Sequence, residues 1–302
     1  MICLRKEIKR ARELSDGIIG VNIMVALSDF SELVITSVEE GVDVLFLGAG
    51  LPLHLPSGIA LKKIKRFDTK IVPIVSSGKA TELIFKYWLK NYKRVPDAVV
   101  VEGPKAGGHL GFKREQIDDP KYQLESLIPQ VIEVVAKYEK ECGREIPVIA
   151  AGGIYTGHDI YRFIKMGVKG VQMATRFVAT YECDASDIFK EAYVQCEKED
   201  IMIIQSPVGL PGRAIRNGFL EDVEKGMRKP FTCPWKCLKT CNYKESPYCI
   251  ALALTNAKKG YLSNGFAFIG ANGYKVDKIV HVKDLIGELV REYEEMASKD
   301  KS

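Results

Sequence analysis

"IPVIAAGGIYTGHDIYRFIKMGVKGVQMATRF", residues 146–177, holds two apolar runs of strand length separated by one helical stretch. The first run, "IPVIAAGG" (146–153), has no polar alternation, as expected of a strand buried on both faces. It stops at a glycine pair. A cap at Thr156 then opens a segment with apolar residues at helical spacing, which closes at Gly167. The second run, "GVQMATRF" (170–177), repeats the strand pattern. Strand, helix and strand in that order predict a parallel α/β unit.

Toward the N-terminus the same unit recurs. Apolar, β-branched runs stand at 20–25 ("GVNIMV"), 42–48 ("VDVLFLG"), 70–76 ("KIVPIVS") and 97–103 ("DAVVVEG"). Helical segments such as "DFSELVITSVEEG" lie between them.

Two strand ends carry more than a core pattern. Gly152 and Gly153 let backbone N–H groups approach a ligand with no Cβ in the way, and the following helix N-terminus favours negative charge. Ala174 and Thr175 then end the next run with a small residue and a hydroxyl donor. A tight turn explains one such motif. Two of them, one βα unit apart, predict a phosphate cradle, which in (β/α)₈ barrels lies after strands 7 and 8. With these runs as strands 7 and 8, the four earlier ones are strands 3 to 6. The expectation is an α/β fold of the (β/α)₈ TIM-barrel type lacking its first two βα units, a chain that starts inside its barrel with an incomplete ligand site. An open doubly wound sheet of six strands is the alternative and needs no missing piece.

Beyond residue 178 the rhythm is lost. A helix is expected at about 184–200, then the irregular "QSPVGLPGRAIRNG", a cysteine-containing stretch, and a terminal helix near 282–297. The organisation expected is an incomplete barrel domain over 1–220 and a C-terminal extension over 221–302 packed on it.

The 302 residues are 27% charged and 46% hydrophobic, ordinary for a globular protein, and exclude disordered and fibrous classes. The net charge of +5 is spread among acidic residues, so no nucleic-acid surface is indicated. No apolar run reaches the ~18–20 residues of a membrane span. The N-terminus lacks the apolar core of a secretory signal, so a cytoplasmic location is expected, with thiols kept reduced. Cys233, Cys237, Cys241 and Cys249 are spaced C-x3-C-x3-C-x7-C. If that segment is helical, the first three share a face. A zinc or iron–sulfur site and a set of free thiols both stay open, and no metal is assigned.

Of four histidines, His109 stands apart, in "VEGPKAGGHLGF" (101–112) behind a glycine pair after an apolar run. It is expected at the C-terminal end of a barrel strand, where barrel chemistry occurs. His54, His158 and His281 are expected to be ordinary hydrogen-bonded histidines.

"GVNIMVA", "VEGPKAGGHLG", "IPVIAAGGI" and "GVQMATRF", in this order, resemble the nitronate monooxygenase family, once called 2-nitropropane dioxygenases, and the related flavin-dependent enoyl-acyl-carrier-protein reductases. The resemblance runs over roughly residues 4–220, and "GFAFIGANGYKVDKIVHVKDLIGEL" (265–289) resembles the ending of nitronate monooxygenase members. It implies an FMN-binding barrel. Asn22, Glu102, Gly107 and Gly108 are implied near the flavin ring and ribityl chain. Gly152, Gly153, Gln172, Met173, Ala174 and Thr175 are implied at the ring edge and phosphate. His109 matches the family's active-site histidine.

Three departures stand out: Glu102 where glutamine is common, Ala174 where glycine is usual, and "GPK" before Ala106. The resemblance implies oxidation of alkyl nitronates by O₂ to carbonyl compounds and nitrite. Enoyl reduction by NAD(P)H and non-catalytic flavin or phosphate binding are the alternatives. The expected partner is a small-molecule substrate, a nitronate or other small anion; a homodimer stays open.

Overall fold

The computed structural model describes residues 1–56, 68–227, 233, 235–239 and 241–300. Its strands are β1 Gly20–Met24, β2 Val44–Gly48, β3 Lys70–Val75, β4 Val99–Glu102, β5 Gly108–His109, β6 Val148–Ala151, β7 Gly170–Gln172, β8 Ile201–Gln205 and β9 Pro211–Ile215. The parallel sheet has the order β1-β2-β3-β4-β6-β7. That order follows the chain without reversal. A doubly wound sheet would contain a switch point where the order turns back; strands laid down one after another are the order of a barrel wall. The fold is α/β, of the barrel type.

The chain divides into two compact units. The first comprises residues 1–101, 129–149 and 237–239. In it β1 pairs with β2 and β2 with β3, all parallel, with Asn22 opposite Phe46. Leu45, Leu47, Ile71 and Val99 are fully buried, the reason these strands read as unbroken apolar runs. An aspartate stands ahead of two of the strands. The Asp43 carboxylate accepts from the Ile19 N–H at 2.8 Å and from Arg12 at 2.7 Å, and Asp97 accepts from the Ile71 N–H at 2.8 Å and from Arg94 at 2.6 Å. These bonds tie the start of one strand to its neighbour and hold the Asp43 carboxyl below its ordinary range, the Ile19 N–H first and Arg12 second.

The second unit comprises residues 102–128, 150–236 and 240–302, as far as these are described. The helix Gly157–Lys165 is capped at Thr156, whose Oγ1 accepts from the Asp159 N–H at 3.0 Å while Asp159 accepts from the Thr156 N–H at 3.0 Å. It lies against the terminal helix Val282–Lys299. The Glu292 carboxylate accepts the Gly157 N–H at 2.6 Å, and a Cβ at residue 157 would fall 2.1 Å from the Leu289 carbonyl oxygen.

Several expectations need correction. The strand expected over 170–177 ends at Gln172, and Thr175–Val178 is a short helix, so Ala174 and Thr175 follow β7 instead of ending it. The helix expected at 184–200 is Asp187–Val194, followed by a 3₁₀ turn at Lys198–Asp200. "QSPVGLPGRAIRNG" is not irregular. It contains β9, which pairs antiparallel with β8 on one side and with β5 on the other. Pro211 stands at a strand's first residue, where a missing N–H is tolerated, and with Gly212 it hides the strand from a pattern search.

Cys233, Cys237 and Cys241 lie outside helix. Leu238 instead forms an antiparallel bridge with Leu27. Phe231, Thr232, Pro234 and Thr240 of that segment lie outside the described residues. No helix among the described residues is long and apolar enough to cross a membrane.

Candidate active site

The expected residues divide between the two units. Asn22 lies in the first, on β1, with an exposed side. Glu102, Gly107, Gly108, His109, Gly152, Gly153, Gln172, Met173, Ala174 and Thr175 lie in the second.

His109 is not at the end of a parallel strand. The chain leaves the parallel sheet at Glu102, turns through Gly103–Gly107, and enters the three-stranded antiparallel sheet, where Gly108 faces Arg213 and His109 faces Gly212. A φ of +80° at Gly108 brings the chain into that register. The imidazole Nε2 lies 2.7 Å from Ser206 Oγ. Its ring meets Phe268 edge to face, with centroids 5.0 Å apart at 67°. Desolvation holds its pKa below the ordinary value, so the ring is neutral at pH 7.

The loop that delivers His109 is held from behind. Arg213 on β9 is buried, and its Nη1 donates to the carbonyls of Pro104 at 2.5 Å and Ala106 at 2.6 Å. Burial lowers the guanidinium to about 10, still charged at neutral pH, and Asp118 opposes that shift.

The segment Ile269–Gly273 closes on the same loop. The Ala271 N–H donates to the Lys105 carbonyl at 3.0 Å, and Asn272 Nδ2 donates to the Gly153 carbonyl at 2.5 Å. The Gly270 N–H donates to Thr175 Oγ1 at 3.2 Å. Four stretches distant in sequence therefore meet: the "GPKAGG" loop, the 152–153 pair, residue 175 and residues 269–273.

Three glycines are explained by this meeting. A Cβ on Gly107 would stand 2.6 Å from the Ile269 carbonyl carbon. Gly152, with φ +96°, would place one 2.8 Å from the Gly103 carbonyl oxygen, and Gly153, with φ +82°, one 2.7 Å from the Lys105 Cβ. Gly107 and Gly152 let backbone pass backbone, and Gly153 makes room for the Lys105 side chain. The resemblance implied Gly107 near the flavin ring; in the structure it packs closely on Ile269–Gly270.

The carboxyl of Glu102, the last residue of β4, has no hydrogen-bond partner among the described residues. Desolvation alone raises its carboxyl to about 7, although the residue keeps part of its surface. It is therefore a mixture of neutral acid and carboxylate at neutral pH. Gln172, Met173 and Thr175 are half-buried and Ala174 is exposed.

Ser206, Arg213, Phe268, Gly270 and Asn272 escaped the sequence reading. "FIGANG" offered a signal, two glycines flanking an asparagine after an apolar run; nothing local marked Ser206 or Arg213. The other histidines have surface partners: His54 with Tyr87 at 3.0 Å, His158 with Glu295 at 3.6 Å and His281 with Glu182 at 3.1 Å. None of the eight cysteines is in a disulfide, and among the described residues no group of three or more His, Cys, Asp or Glu is placed to hold a metal ion.

The family model for nitronate monooxygenase matches residues 3–292. The chain belongs to the nitronate monooxygenase family. Among similar proteins, a probable nitronate monooxygenase of Staphylococcus aureus strain MSSA476 is 32% identical over 172 residues, 57% of this chain and 44% of that protein. Its counterpart in strain JH9 is 28% identical over 221 residues, 73% and 56% of the two chains. The chain thus spans about half the length of the curated relatives it matches.

Of solved structures, FabK from Thermotoga maritima aligns over 99% of this chain and 83% of its own, at 28% identity and a TM-score of 0.77. A nitroalkane oxidase from Streptomyces ansochromogenes aligns over 98% and 86%, at 21% identity and a TM-score of 0.74, a likeness of fold. Both likenesses extend across the second unit, tail included.

Proposed function

We propose that this family member is an FMN-dependent oxidoreductase that oxidises small alkyl nitronates with O₂ to carbonyl compounds and nitrite, two nitronates consuming one O₂. The observation that carries it is the setting of His109: a neutral imidazole with one nitrogen on Ser206 and its ring edged against Phe268, on a loop fixed by Arg213.

The residues present fit a flavin. Glu102 is the informative one. A permanent carboxylate would oppose the negative charge of a reduced flavin, whereas a carboxyl raised to about 7 and without a partner among the described residues can donate a hydrogen bond. Gly152 and Gly153 follow β6, and Ala174 and Thr175 follow the neighbouring β7, so small residues and N–H donors stand side by side at strand ends. Those residues, with Gln172 and Met173, would hold phosphate and ring edge, and Glu102, Gly107 and Gly108 would line the ring. When bound, FMN supplies the electron transfer. The protein's part is to place the substrate by His109 and to exclude water.

A second function, enoyl-thioester reduction by NAD(P)H, is favoured by the likeness to the Thermotoga maritima protein named FabK. Visible spectra of the purified chain with FMN separate the two. Anaerobic addition of a nitronate is expected to bleach the bound flavin, whereas bleaching by NADH or NADPH alone would move the assignment to the reductase. A chain that takes up no FMN would overturn both.

A further inference from the structure

His109 has two ring nitrogens, and the protein engages one of them. Nε2 is 2.7 Å from Ser206 Oγ, while Nδ1 has no hydrogen-bond partner among the described residues. Which nitrogen carries the proton follows from what surrounds the hydroxyl. Ser206 is 3% exposed and opens the turn joining β8 to β9, its N–H donating to the Leu210 carbonyl at 3.0 Å. Its Oγ accepts the Val208 N–H at 3.4 Å, and an amide N–H can only donate. Among the described residues the hydroxyl hydrogen then has one acceptor in reach, His109 Nε2. With the roles reversed, Nε2–H donating to Oγ, a buried hydroxyl hydrogen would be left without an acceptor, a penalty of about tenfold in population or more.

We infer that Ser206 is a positioning residue that locks neutral His109 in the Nδ1–H tautomer, so the ring offers substrate a hydrogen-bond donor and not a proton acceptor. This rests on the proposal that substrate meets His109, and it narrows that proposal. A donor at Nδ1 suits an oxygen of a preformed anion such as a nitronate. It cannot remove the α-proton of a neutral nitroalkane unless the ring first exchanges tautomers, which breaks the bond from Ser206. Phe268, packed edge to face on the ring, restrains the rotation that would offer the other nitrogen.

The test is ¹⁵N NMR of the full chain labelled at histidine, at a pH where His109 is neutral. His109→Asn identifies its signals among the four histidines. In the unsubstituted protein Nδ1 is expected to show a protonated, pyrrole-type signal and Nε2 a pyridine-type one. Ser206→Ala is expected to shift the balance to Nε2–H, and Ser206→Thr, which keeps a hydroxyl, to restore the original pattern. A protonated Nε2 in the unsubstituted chain would overturn the inference, as would an unchanged pattern in Ser206→Ala. Should Ser206→Ala fail to fold, the unsubstituted spectrum alone decides.

None of these readouts needs flavin or turnover, so a failed flavin titration would sink the proposed function and leave this result standing. Where turnover is seen, nitronate should be preferred over its neutral nitroalkane by at least about tenfold, and Ser206→Ala should raise KM for nitronate about tenfold with a smaller change in kcat.

Discussion

β2 and β3 lie inside the apolar runs that mark them in the sequence, whereas β5 and β9, the strands that carry and oppose His109, have nothing strand-like about them. "VLFLG" and, past its exposed Lys70, "KIVPIV" are buried or half-buried because parallel strands are covered on both faces. β5 is the dipeptide Gly108–His109, and β9 is "PGRAI". Beyond its pairing with the adjacent β8, it bonds to residues far along the chain: the Ile215 N–H donates to the Ala267 carbonyl and the Ile269 N–H to the Arg213 carbonyl. The scaffold is written in local composition. The site is written in which distant backbones can touch.

That contrast can be broken at glycine. Gly107→Ala would put a methyl 2.6 Å from the Ile269 carbonyl carbon, against the Ile269–Gly270 peptide and with no flexible side chain among its three nearest atoms to yield. It should cost about 3 kcal/mol or more in urea unfolding. Gly170 at the start of β7 has nothing within 4 Å of a built Cβ and no left-handed φ, so Gly170→Ala should be neutral or stabilising by up to about 1 kcal/mol. Equal losses in the two variants would show that the 103–107 loop and the Ile269–Gly273 segment do not meet as described.

What the sequence made legible follows the same division. The six parallel strands, the Thr156 cap and the terminal helix are each a periodic or capping pattern within about twenty residues, and all were readable. His109 was readable through its glycines, although the strand it sits on was not. Ser206 and Arg213 were invisible because each matters only through a partner about a hundred positions away, His109 for the one and Pro104 and Ala106 for the other. The packing at Gly107 was invisible on the same ground, since the backbone it admits lies more than a hundred and fifty residues downstream.

Glu102 is where scaffold and site share a residue, and pH sharpens the comparison there. Its carboxyl rises from 4.5 to about 7 on folding. Above the unfolded value the unfolded chain sheds a proton that the folded one keeps. Stability is therefore intact below about 4.5, falls as pH climbs toward about 7, and stays reduced beyond it. With part of the residue open to solvent, the loss should be roughly 2 kcal/mol. Glu102→Gln should remove that decline and gain the same amount at pH 8 relative to pH 4.5, read from urea midpoints across the range. An unchanged pH profile would mean that the carboxyl is ionised in the folded protein at neutral pH, and the case for its hydrogen bond to a flavin would fail with it.

The smallest expected effect belongs to the most legible feature. Thr156→Ala removes the hydroxyl that accepts the Asp159 N–H at 3.0 Å and leaves one N–H of the first helical turn bare. The cost should be about 1 kcal/mol, because Asp159 still accepts from the Tyr155 and Thr156 N–H groups, at 3.1 and 3.0 Å. The Glu292 carboxylate still caps the Gly157 N–H as well. That last bond comes from the terminal helix, so the helix start is held by a local device and a distant one together. In a double-mutant cycle with Glu292→Gln, Thr156→Ala should lose more than in the parent if the two acceptors substitute for one another. Strict additivity would mean that the local cap works alone, and that on this side of the molecule the sequence pattern carries the whole of the effect.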